Sequence, residues 1–185
     1  MMRFLLVCVL MLCAMPSTAS ITDYVVKQWN IKDGLPSQSL KSVVQDNQGY
    51  MWLGTQFGLS RFDGNTFTNY NTQNSLFLPS NGINKLLIDG EGLLWIGTKN
   101  GLVVIDPEKL TAQEFNIKGP VRDILEDSKG SIWIAANGLY YIDRGQIELR
   151  DQLNNPSPIV NATAITQIVG SVSKMALSPE GIWLV

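Results

Sequence analysis

The sequence predicts an all-β protein made of β-propeller blades: about three four-stranded blades and part of a fourth. Three observations carry that expectation. The pattern Asp-x-x-Gly-x-apolar-Trp recurs as DNQGYMW (46–52), DGEGLLW (89–95) and DSKGSIW (127–133). Its tryptophans, Trp52, Trp95 and Trp133, stand 43 and then 38 residues apart, a period near that of a blade. Each copy holds short runs rich in Val, Ile, Thr and aromatics, divided by turn residues such as Asp-Asn-Gln-Gly. No run of ten residues keeps a helical period free of glycine or a turn. Closed rings use about four to eight blades, so these copies predict an incomplete, open arc with exposed blade faces.

The elements follow in order. Residues 1–19 read as a signal peptide: Arg3, an apolar run from Phe4 to Met15, Pro16, then Ser17 and Ala19 before the cut. That run is too short to cross a bilayer as a helix. The partial propeller then spans 20–185. YVVKQWN (24–30) precedes the first repeat as TFTNYN (66–71) precedes the second, and reads as the outer strand that closes a ring. Blades are expected at 34–71, 76–116 and 119–150. The longer, polar stretch at 151–171 reads as an irregular loop at a ring mouth. Residues 172–185, ending in the degraded copy LSPEGIWLV, start a fourth blade.

Composition removes several function classes. The chain has no histidine, and both of its cysteines, Cys8 and Cys13, lie in the leader. Histidine-dependent triads, His-ligated zinc and thiolate sites are therefore excluded from the mature chain. Lys and Arg total 14 against 16 Asp and Glu, a formal net charge of −2, and no basic stripe appears. Nucleic acid is not an expected partner. GTQFG and GTKNG lack the spacing and the following helix of a phosphate loop. DNQGY and DGEGL lack the full ligand set of a calcium loop. No cofactor and no metal are expected.

The recurring residues instead take structural roles. Asp46, Asp89 and Asp127 are expected to accept backbone N–H groups of a turn. Gly49, Gly92 and Gly130 supply its left-handed backbone. Trp52, Trp95 and Trp133 fill the space between blades. Gly58, Gly101 and Gly138 sit in the next tight turn, and Asp63, Asp106 and Asp143 close each copy.

At these residues the chain resembles the two-component regulator propeller repeat. The first copy, DGLPSQSLKSVVQDNQGYMWLGTQFGLSRFD (33–63), matches that repeat nearly throughout. The second keeps Leu78 and Pro79 and the residues from Asp89 to Asp106. In the third, Ala135 and Ala136 replace Gly-Thr and the next turn is one residue shorter. The resemblance implies the exported, periplasmic sensor region of a membrane-tethered receptor, whose output is a histidine kinase or a diguanylate cyclase. It implies an extracellular ligand, small molecule or glycan, and association with further blades or with a second copy. The residues named above would then be scaffold, with no catalytic role. A stand-alone secreted interaction module is the alternative.

Overall fold

The computed structural model of the chain describes residues 26–117, 119–147, 149, 163–164, 174–178 and 181–184. The expected leader lies outside these residues. Within them the fold is all-β, with two short 3-10 turns and no α-helix. Strands β1 (Leu40–Gln45), β2 (Met51–Thr55), β3 (Gly58–Phe62) and β4 (Phe67–Tyr70) form one antiparallel sheet in sequential order. Strands β5 (Ile83–Ile88), β6 (Leu94–Thr98), β7 (Gly101–Ile105) and β8 (Ala112–Phe115) form the second. The third has β9 (Asp123–Glu126), β10 (Ile132–Ala135), β11 (Leu139–Ile142) and β12 (Thr163–Ala164). A two-stranded sheet, β13 (Met175–Ser178) and β14 (Gly181–Leu184), stands after them.

The alternation of strand side chains decides how the sheets stack. Trp52 and Leu59 of the first sheet meet Leu86, Leu94, Ile96 and Ile105 of the second in one apolar cluster. Trp95, Leu102, Val104 and Phe115, on the other side of the second sheet, meet Ile124, Ile132, Ile134 and Ile142 of the third. The second sheet is buried on both faces, which explains why β6 and β7 read as continuous apolar runs rather than alternating ones. Each sheet is thus a blade completed by its neighbours. Ala135 and Leu139 of the third blade continue the pattern onto Met175 of β13.

Close approach of the inner strands depends on a glycine in each of the first two blades. A Cβ on Gly97 would lie 2.6 Å from Val121 Cγ1, and one on Gly54 would lie 2.7 Å from Ile83 Cγ2. The Gly of each Gly-Thr pair therefore seats the first strand of the following blade. Gly97→Ala is expected to push the second and third blades apart, at a cost of about 1–3 kcal/mol from overpacking. Urea unfolding of the variant measures it.

Two expectations at the edges are corrected. Residues 26–30, within the expected strand at 24–30, carry no strand, because the described residues offer that edge no partner to pair with. This segment folds back on the first blade instead. Trp29 packs edge-on against Phe62 at 4.9 Å, Leu35 is buried, and Asn69 donates to the Gly34 carbonyl at 2.8 Å. A capping box of Asn30 and Asp33 holds the turn Ile31–Asp33 between them. The stretch expected as an irregular loop at 151–171 contributes β12, whose Thr163 and Ala164 pair with Tyr141 and Tyr140. That pairing satisfies the free edge of β11. The remainder of 151–171 lies outside the described residues.

Candidate functional site

The residues singled out by the repeat form a turn that is built three times over. Asp46 Oδ1 accepts from the backbone N–H groups of Gln48 and Tyr50, both at 3.0 Å, and Oδ2 accepts from the Trp52 indole at 2.7 Å. Asp89 does the same with Glu91 N (3.0 Å), Leu93 N (2.9 Å) and Trp95 Nε1 (2.8 Å). Asp127 repeats it with Lys129 N (2.9 Å), Ser131 N (3.0 Å) and Trp133 Nε1 (2.9 Å). Gly49, Gly92 and Gly130 have φ of 90°, 87° and 80°, the left-handed backbone that the turn needs. One carboxylate thus closes the β-turn and fixes the indole that fills the blade interface.

The indole bond was not legible in the sequence, since Asp and Trp stand six residues apart and either could act alone. It matters energetically. A buried indole N–H without a partner costs about 1–3 kcal/mol, and here it has a charged one. Trp52 and Trp95 are fully buried, and they stack on Tyr70 and Phe115 with ring centroids 5.9 and 5.7 Å apart. Trp133 is only half-buried and meets Tyr141 edge-on at 5.0 Å. Tyr141 also shares a hydrogen bond with Ser131, while Tyr140 packs into the cluster facing the second blade.

The following turns divide two to one. Thr55 Oγ1 donates to the Gly58 carbonyl and accepts from Phe57 N; Thr98 does the same with Gly101 and Asn100. Gly58 and Gly101 are left-handed. Gly138 is not, because the shorter turn of the third copy closes directly through Ala136 N and the Gly138 carbonyl at 2.9 Å. The closing residues cap the next turn. Asp63 accepts from Asn65 N, Thr66 N and the Thr66 hydroxyl; Asp106 accepts from Glu108 N and Lys109 N; Asp143 accepts from Gly145 N.

Two further residues bind blade to blade. Arg144 reaches Glu91 and Glu126 at 2.7 Å and Asp89 at 3.5 Å, and its Nε donates to the Gly130 carbonyl. Burial lowers its pKa, but Asp89, Glu91 and Glu126 outweigh that and hold it above its ordinary value. Glu126 in turn accepts from Gly90 N at 2.8 Å. Asp123, at the start of β9, pairs with Lys85 of the second blade at 2.7 Å and accepts from Met175 N of β13 at 3.0 Å. Ser42 occupies the matching place in the first blade and accepts from Leu86 N at 3.0 Å. Arg144 lies outside the matched repeat and Asp123 is not one of its recurring residues, so the repeated pattern does not single them out.

The turn carboxylates are occupied by N–H donors or by Arg144, which is the chemistry of a scaffold. Their acidity follows from the same bonds. The Thr66 backbone N–H, then its hydroxyl and the Asn65 N–H, hold Asp63 down at about 2. Burial raises Asp127, but the bonds from Trp133, Ser131 and Lys129 together hold it below the usual carboxylate range. A carboxylate whose pKa is lower folded than unfolded stabilises fully above its unfolded value and loses that contribution as pH falls through the folded value. For Asp63 that window runs from 3.8 down to about 2. The melting temperature of wild type is expected to fall more steeply than that of Asp63→Asn across this window.

Comparison with known proteins places the repeat. The sequence profile described as "Two component regulator propeller" matches residues 34–57, 78–100 and 117–138, the three segments that contain the turns above or lead into them. At these segments the chain is similar to the two-component regulator propeller repeat. A curated relative, Histidine kinase P4 of Formosa agariphila, is 40% identical over 52 residues, which is 28% of this chain and 4% of that protein. Two solved structures are similar in fold, both extracellular domains of hybrid two-component systems from B. thetaiotaomicron. One has a TM-score of 0.69 at 20% identity over 87% of this chain and 24% of its own. The other has 0.68 at 21% identity, over the same shares. The chain therefore spans about a quarter of these neighbours. Virginiamycin B lyase from Staphylococcus aureus shares the fold less closely, with a TM-score of 0.55 at 17% identity over 78% of this chain and 48% of the lyase.

Proposed function

We propose that the chain is the propeller part of an exported sensor, a non-catalytic region that receives an extracellular cue for a signal-transduction receptor. The observation that carries this reading is the tandem match of three two-component regulator propeller repeats. The reading also draws support from the fold shared with extracellular domains of two-component systems. The kinase named for the curated relative makes a histidine kinase the favoured output. Among the described residues no helix is long and apolar enough to cross a membrane.

The lyase-like alternative has less behind it. One lyase structure of the same fold is described as inactivated by replacing a histidine, and this chain contains none. The mechanism of the sensor would rest on how the blades pack, since the turn carboxylates are already bonded. A ligand that differs in affinity between two packings shifts their balance, and only by that difference. Reading the coding sequence beyond codon 185 tests the proposal. Further repeats, an apolar spanning segment and an output module are expected. An in-frame stop followed by unrelated sequence overturns it.

A further inference from the structure

The strands of each blade are antiparallel, so the turns alternate between two ends of the stack. The Asp turns lie at one end. The β2–β3 and β6–β7 turns and the links between blades lie at the other. Each end carries a cleft, and the two differ in charge. The cleft at the Asp-turn end, about 160 Å³, is lined by Asp46, Glu91, Asp106 and Glu108 among others and by no cation. At the opposite end an open cleft of about 570 Å³ is lined by Asn84, Lys99, Pro120 and Arg122, with no carboxylate.

The groups of the second cleft are held in position. Arg122 Nη1 donates to the Ala136 carbonyl at 2.7 Å, which fixes the plane of the guanidinium. Asn84 Nδ2 donates to the Val121 carbonyl at 2.9 Å, which orients its amide. Lys99 lies along Gly82, where a Cβ would come within 2.5 Å of the lysine Cδ, so the glycine makes room for the stem. The Lys99 backbone N–H is tied to the Gly82 carbonyl at 2.8 Å. Neither Lys99 nor Arg122 forms an ion pair among the described residues. Lys85, by contrast, is neutralised by Asp123 nearby. Two cations from different blades thus face one open space with no counter-charge among the described residues, one of them a fork suited to a planar or tetrahedral oxyanion.

We infer that this cleft binds the oxyanion group of a small organic ligand, a carboxylate or a sulfate, between Lys99 of the second blade and Arg122 of the third. The inference rests on the sensor reading for its biological sense, and it names the chemistry of the cue. A ligand gripped from two blades binds one inter-blade arrangement better than another, as transmission requires.

Calorimetric titration of the full chain at low ionic strength tests it, with glucuronate, sulfate and glucose as the probes. Glucuronate or sulfate is expected to bind saturably, more weakly as salt is added, and glucose not at all. Glucuronate alone would identify a carboxylate ligand, and sulfate alone a sulfated one. Lys99→Met keeps the stem over Gly82 and Arg122→Gln keeps a donor for Ala136; each should weaken binding by about tenfold, the loss of one charge-assisted hydrogen bond. Unchanged melting temperatures would show that both variants are folded. Absence of saturable binding by either anion, or binding undiminished in both variants, overturns the inference. A downstream sequence encoding an output module would leave the sensor reading intact in that case, so the two failures are distinguishable.

Discussion

Asp89→Ala is expected to destabilise the chain by about 3–5 kcal/mol, the range for removing one member of a buried charged network. Asp89 is 4% exposed and accepts from Glu91 N, Leu93 N and Trp95 Nε1, and Arg144 stands 3.5 Å from it. Alanine leaves the three donors without their acceptor and takes one counter-charge from Arg144. Asp46→Ala is the internal control. It removes the same three bonds from the first blade, where among the described residues no arginine pairs with the carboxylate. Its loss is expected to be smaller, and the difference between the two reports the contribution of Arg144. Urea midpoints at constant slope measure both. Equal losses would show that Arg144 contributes nothing through Asp89.

Trp95→Ala is expected to cost about 3–5 kcal/mol, the usual range for removing a fully buried large aromatic. The indole is 0% exposed, stacks on Phe115, and packs with Ile132 and Ile134 of the next blade. Its removal opens a cavity at the interface between the second and third blades and strands Oδ2 of Asp89 without its indole donor. Trp133→Ala removes the same side chain from a half-buried setting and is expected to cost distinctly less. Comparable losses at the two positions would mean that burial between blades is not what the tryptophan contributes.

Much of the fold was legible because the repeat displays each constraint several times. Asp46, Asp89 and Asp127 recur at a fixed distance from a glycine, and only a turn with a left-handed position asks for that pair. Strand boundaries followed from turn residues with strong local preferences, such as Asp63-Gly64-Asn65. What escaped was long-range. Arg144 meets Asp89 across 55 residues of chain, and no local pattern encodes that pairing. Asp123 was unremarked because its partners, Lys85 and Met175 N, belong to neighbouring blades. The oxyanion cleft was equally hidden, since Lys99 and Arg122 are adjacent only after the sheets stack. The edge at 26–30 departs from its strand propensity for a physical reason: such propensity forms no strand where no partner strand is offered among the described residues.

The scaffold role of the repeated turns rests on one contact made three times, the indole N–H of each tryptophan held by the carboxylate six residues before it. Hydrogen exchange of the five tryptophan indole N–H groups, followed by ¹⁵N-resolved NMR, tests it most directly. The Trp52 and Trp95 indoles should exchange only through global unfolding, and that of half-buried Trp133 faster but still well behind a free indole. Rapid exchange of Trp52 and Trp95 in the folded chain would contradict the account, because carboxylates not engaged by these indoles would be free for other chemistry.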